Sequence, residues 1–139
     1  MGTAKREPDG TKNPRRIRTF EDLEAWKACA AVRREISTLA KSLPQEERYL
    51  LRAQLLRASR SATANIAEGY GRYHYQENIQ FLRQSRGSLY ELIDHLSVAG
   101  ENGQIGDGQL QALRAGVLRA IQLVNGYIRY LEKSRKATR

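Results

Sequence analysis

Arg57-Ala58-Ser59-Arg60-Ser61-Ala62-Thr63-Ala64-Asn65-Ile66-Ala67-Glu68, closed by Gly69, is the stretch whose reading decides the fold. It lies within a helical pattern, yet Ile66 is its one large apolar side chain. A helix this poor in large hydrophobes cannot fill a core by itself. It can serve as a helix that others approach closely, with its Ser, Asn and Glu groups used as internal ties. Working outward, Leu51, Leu55, Ala58, Ala62, Ile66 and Gly69 fall at 4-3-4-4-3 spacing, one continuous helical face. The predicted helix covers about 46–70, with Glu46 and Glu47 suited to its first turn and Gly69-Tyr70-Gly71 punctuating its end.

The same period recurs on either side. Upstream, Leu23, Trp26, Ala30, Ile36, Leu39 and Leu43 define a helix from a Thr19 N-cap, with Asp22 in a capping-box position, to Pro44. Downstream, Ile79, Leu82, Leu89, Ile93, Leu96 and Ala99 define a third helix over 75–100, stopped by Gly100-Glu101-Asn102-Gly103. Leu110, Leu113, Val117, Ile121, Val124, Ile128 and Leu131 define a fourth, capped by Asp107 and running to about Ser134. No strand pattern competes. Four amphipathic helices with short links predict an all-α, antiparallel up-down-up-down four-helix bundle over residues 19–134. A basic N-terminal extension (1–18) and a short basic C-terminal tail (135–139) flank it.

Charge is concentrated in those flanks. The 139-residue chain has a formal net charge of +9, of which residues 1–20 contribute +4, residues 129–139 another +4, and the rest only +1. Basic ends suit a polyanion, with nucleic acid ahead of an anionic membrane surface; the plainer reading is that they keep the protein soluble. No apolar run approaches the roughly 20 residues needed to span a bilayer, and no signal-peptide pattern opens the chain, so a cytoplasmic location and no membrane partner are expected. The single cysteine, Cys29, is expected as a small buried hydrophobe rather than a reactive thiol.

Catalytic patterns are absent. A di-iron bundle needs Glu-x-x-His on two helices plus further carboxylates, whereas this chain has one Glu91/His95 pair at i, i+4, read as an exposed or partly exposed helix pair. Ser59, Ser61, Ser85 and Ser88 have no His/Asp relay nearby in sequence. No enzyme activity, metal or cofactor is expected. The candidate binding residues are cationic: Arg48, Arg52 and Arg60 on the second helix, Arg72 in the following link, Arg15, Arg16 and Arg18 at one end, and Lys133, Arg135 and Lys136 at the other. Arginine binds phosphate bidentately; the alternative is a solvated face with carboxylate partners. Arg57 is expected to be buried and paired. Tyr70, Tyr73 and Tyr75 can stack on unpaired bases or pack over the bundle end, and packing is preferred. Asn65 and Glu68 are read as hydrogen-bonding ties that fix helix register.

Phe20-Glu21-Asp22-Leu23-Glu24-Ala25-Trp26-Lys27, Arg57 with Ser61, Asn65-Ile66-Ala67-Glu68-Gly69, Gly71-Arg72, Phe81-Leu82 and Arg86-Gly87-Ser88-Leu89-Tyr90-Glu91-Leu92 resemble the four helix bundle protein family, in consistent order over residues 19–131. That family includes the proteins encoded within intervening sequences of bacterial 23S ribosomal RNA. It is related to the accessory variability determinant proteins of diversity-generating retroelements. The resemblance implies a homopentameric ring, and in retroelements an accessory that binds the reverse transcriptase and its template RNA or cDNA. Its motif residues here, Arg57, Asn65, Glu68, Gly69, Gly87 and Glu91, are read as structural. Thr63 stands where the family often has Pro, which implies a straighter second helix. Five copies at +9 each would bring 45 formal positive charges to one particle.

Overall fold

A computed structural model of the chain describes residues 16–44 and 49–137, with side chains to Arg135. Arg15, Arg48, the first residues of the predicted second helix and the Lys136 side chain lie outside what is described. Within it are a 3-10 turn (Phe20–Asp22) and four helices: α1 (Glu24–Ser42), α2 (Tyr49–Tyr70), α3 (Tyr75–Glu101) and α4 (Asp107–Ala137). No strand occurs among the described residues.

Each helix packs on its neighbours in sequence, and α1 packs on α4 to close the square. Cross-helix partners give the direction. Between α2 and α3, Arg57 meets Glu91, Ser61 meets Ser88 and Ala62 meets Ser85, so residue numbers rise on one helix as they fall on the other. Arg83 meets Glu132 and Arg86 meets Asn125 across α3 and α4, again antiparallel. The expected stripes form the core. Leu51, Leu55, Ala58, Ala62 and Ile66 of α2 are buried, facing Leu82, Leu89, Leu92 and Leu96 of α3 and Val117, Val124 and Leu131 of α4 in one cluster. Trp26, Ile93 and Leu110 are only partly buried at its margin. Cys29 is buried, as its neighbours suggested.

Helix ends differ from expectation at three places. The Asp22 carboxylate accepts the backbone N–H groups of Arg18 (2.9 Å) and Thr19 (3.2 Å). These bonds hold its carboxyl below the usual carboxylate range and wind residues 20–22 into a separate turn. The expected Thr19/Asp22 capping box is present, but it caps this short turn: Leu23 is extended (φ −70°, ψ 130°), so α1 itself starts at Glu24. At the fourth helix, the Gly106 carbonyl accepts the Leu110 N–H (2.9 Å), which places Asp107 inside the first turn rather than at the cap. At the far end α4 continues through Ala137, so residues 135–137 extend the helix.

The other ends follow local chemistry. Leu43 is extended (φ −78°, ψ 136°) because it precedes Pro44, and α1 stops there. Gly103 takes a left-handed conformation (φ 69°), and Gln104 N–H reaches back to the Ala99 carbonyl (2.9 Å), closing α3 with a six-to-one bond. α2 runs unbroken through Thr63, whose hydroxyl donates to the Arg60 carbonyl (3.1 Å) and accepts from Arg33 (3.0 Å).

Candidate nucleic-acid interface

The small-residue run faces α3 along a polar seam. Ser61 and Ser88 share a hydroxyl–hydroxyl bond (2.9 Å), and the Asn65 amide donates to both the carbonyl and the hydroxyl of Ser61 (3.0 Å each). Ser85, fully buried, donates to the Ala62 carbonyl (2.8 Å). Nearer the start of α2, Arg57 pairs with Glu91, which also bonds to His95 Nε2 (3.1 Å). These bonds, Arg57 first and His95 second, hold the Glu91 carboxyl below its usual range. At the other end of the seam α2 and α3 nearly touch. A Cβ at Gly69 would stand 2.8 Å from both Asn78 Oδ1 and Phe81 Cβ.

Several expectations are corrected by this geometry. Arg57 is paired but its side chain is 62% exposed, not buried. Glu68 is exposed and bonds to Arg72 one turn on (3.0 Å), so it ties no helices together. It lies two residues past the buried Ile66, about 200° around the helix, on the outer side. His95 is buried rather than exposed, with half-exposed Glu91 as its outlet. The tyrosines divide: Tyr70 and Tyr75 pack on the core, whereas Tyr73 is 81% exposed, edge-on to His74. Gly87 is exposed, and a Cβ there would meet nothing within 4 Å. Its lack of a side chain answers no need within this chain.

The expected cationic residues fall into three groups. Antiparallel order brings Arg16, Arg18, Arg72, Lys133 and Arg135 to one end of the bundle, where the chain enters α1, turns from α2 to α3, and leaves α4. Arg60 sits midway along α2, beside a shallow depression floored by Ala53, Leu56 and Ala64. Arg52 lies towards the opposite end and is half-buried. Arg72 does not present a free charge: it pairs with Glu68, lies 4.0 Å from Glu77 and covers the Phe81 ring at 4.8 Å. Arg16, Arg18, Arg52, Arg60 and Lys133 have no ion-pair partner among the described residues.

Two further cations, Arg119 and Arg129, were not among the expected binding residues: no motif contains either, and Arg129 entered only through the charge of residues 129–139. They share the outer face of α4 with Lys133. The available signal was helical phase: from Arg119, Arg129 and Lys133 lie about 80° and 40° around the axis, on one side. Among the described residues no group of three or more His, Cys, Asp or Glu is placed to hold a metal ion, and the hydroxyls of Ser59, Ser61, Ser85 and Ser88 bond to backbone carbonyls, to Asn65 and to one another. No helix of the described residues is long and apolar enough to cross a membrane.

Fold and seam define an all-helical protein, a four-helix bundle whose second and third helices are locked by short polar bonds between small residues. Residues 21–126 match the family model described as 23S rRNA-intervening sequence protein, and the chain belongs to that family. Among solved structures it is similar to a protein of unknown function from the S23 ribosomal protein family of Bacteroides thetaiotaomicron. The two are 20% identical with a TM-score of 0.71, over 75% of this chain and 97% of that one, a likeness of fold. No curated protein matches the chain in sequence.

Proposed function

We propose that this protein is a non-catalytic, self-assembling scaffold that binds nucleic acid, RNA foremost, through its cationic surface. The observation that carries the reading is the surplus of cations: the chain is formally +9, and unpaired cations outnumber the acids Glu21, Glu35, Asp94, Glu101 and Asp107 that also lack an ion-pair partner among the described residues. Glu68, Glu77, Glu91 and Glu132 are drawn into pairs with Arg72, Arg57 and Arg83, while Arg16, Arg18, Arg52, Arg60 and Lys133 stand without ion-pair partners among the described residues. Such cations are what a phosphate backbone would engage. Self-assembly, as a homopentameric ring, is supported by the resemblance. Tyr49 and Leu50, 69% and 68% exposed at the start of α2, give a single copy apolar surface to cover.

The narrower form of the reading is an accessory to the reverse transcriptase of a diversity-generating retroelement, and its support is the resemblance in sequence. The second reading is a structural or interaction protein of the intervening-sequence type without tight nucleic-acid binding, and the family match supports the type alone. Gene neighbourhood separates the two: an adjacent reverse transcriptase with a template and variable repeat pair supports the narrower form, and a surrounding ribosomal RNA gene removes it. RNA binding itself is tested with the full chain and a form lacking residues 1–18 and 133–139. Salt-sensitive binding that weakens on truncation, with the remainder held by cations of the bundle itself, is the expected result. A stable oligomer with no RNA affinity at low salt would leave the second reading in place.

A further inference from the structure

The outer face of α4 has a feature that the motif does not account for and that joins Arg119 to the basic end at Arg129 and Lys133. Gly126 leaves a notch there of about 540 Å³, walled by Arg119, Arg129, Tyr130 and Lys133. That volume is within the range of pockets that hold small organic ligands. No carboxylate lines it. Among the described residues Arg119, Arg129 and Lys133 have neither an ion-pair nor a hydrogen-bond partner. At a rise of 1.5 Å per residue, the cations span about 21 Å from Arg119 to Lys133, with Arg129 about 6 Å short of Lys133. Tyr130 stands half-buried beside the notch, stacked on Tyr127 with ring centroids 6.4 Å apart.

From this geometry we infer that the outer face of α4 is a track for a single strand of nucleic acid, with phosphates on Arg119, Arg129 and Lys133 and a base entering the notch at Gly126 against Tyr130. The inference rests on the proposed nucleic-acid binding and gives it a place and a ligand class. A row of cations about 21 Å long suits an extended polyanion better than one small anion. An aromatic wall within a cationic row is how unpaired bases are held, because a base locked in a duplex has no free face to stack. A membrane surface fits less well. An interfacial helix needs a protruding apolar face, whereas on the described part of α4 Leu118 alone is large, apolar and exposed.

The test uses the full chain and a fluorescein-labelled twenty-nucleotide oligouridylate, with a duplex of equal length as comparison. R119Q/R129Q/K133Q is expected to weaken binding about tenfold or more at low salt and to flatten the slope of log affinity against log salt by about 2, at about 0.7 per single-strand phosphate contact. Gly126→Leu is expected to weaken the single strand more than the duplex with no charge removed. A Cβ at Gly126 has only the Arg129 guanidinium nearby, at 3.8 Å, and circular dichroism and thermal unfolding of the variant establish that it folds. If the wild-type protein binds and the triple variant binds equally well with an unchanged slope, the track is overturned while the proposed function stands. Equal loss of duplex and single strand in Gly126→Leu overturns the base-holding notch. No binding by the wild type at low salt overturns the proposed function, and the track with it.

Discussion

Glu91 carries the one ion pair across the α2–α3 seam among the described residues. Its carboxylate accepts from Arg57 on the neighbouring helix and bonds to His95 on its own, and both partners favour the charged form. With the folded carboxyl held below its usual 4.5, the stabilisation is present above that value and is lost as pH falls through the lower, folded one. Glu91→Gln should therefore be less stable than the wild type at neutral pH, and the gap should close in acid. The difference is expected to be at most about 1 kcal/mol, because the pair is largely open to water. Chemical denaturation from pH 7 down to about 3 would measure it, and a gap independent of pH would mean that the carboxylate charge contributes nothing. Seen from sequence, Glu91 and His95 were a bare i, i+4 pair. That His95 would be buried depended on how α3 turns towards its neighbours, which the spacing on one helix does not reveal.

Glycine has opposite meanings on the two helices of the seam. At Gly69 a methyl group would stand 2.8 Å from Asn78 Oδ1 and from Phe81 Cβ, and neither the buried amide nor a Cβ can swing aside cheaply. Gly69→Ala is expected to lose about 1–2 kcal/mol, the overpacking cost outweighing the roughly 1 kcal/mol gain in helix propensity. At Gly87 nothing lies within 4 Å, so Gly87→Ala should gain about 0.5–1 kcal/mol in unfolding of the single chain. Thermal or urea unfolding of the two variants should move in opposite directions; a stabilised Gly69→Ala would show that α2 and α3 are less tightly apposed than these distances require. Both glycines look alike in the sequence, as members of recognisable blocks, and only the packing tells them apart. The stripes themselves were legible: Leu51, Leu55, Ala58, Ala62 and Ile66 repeat at the helical period, and all are buried. Glu68 was misplaced although its phase was readable, because its membership in the block outweighed its position on the outer side of the helix. The notch on α4 was not legible, since it depends on a missing side chain at Gly126 and on cations one and several turns away. Buried Asn78, whose amide atoms find no hydrogen-bond partner among the described residues, was equally out of reach of pattern reading.

For the whole molecule, charge opposes the assembly proposed above. Each copy brings a formal +9, so gathering five copies concentrates like charge that water and salt must screen. Contact between copies must then come from surface that is not cationic, and Tyr49, Leu50 and Val98 (69%, 68% and 38% exposed) are apolar groups that a single bundle leaves in water. Burial of such groups is insensitive to moderate salt, whereas phosphate contacts weaken steeply with it. Raising salt should therefore separate the two properties. At about 1 M salt the Debye length falls to about 3 Å, which relieves repulsion between copies while releasing RNA. Light scattering of the full chain should give about 79 kDa, five times the 15.8 kDa chain, at both low and high salt. RNA affinity measured alongside should fall by orders of magnitude between about 50 and 200 mM. Replacing Tyr49 and Leu50 together by Ser should shift the mass towards the single chain while leaving helical content unchanged, because neither side chain belongs to the core. A mass of 15.8 kDa for the wild type at micromolar concentration in both salts would remove the ring. Each bundle would then have to hold a polyanion with its own cations, and the loss of affinity with salt would be correspondingly shallower.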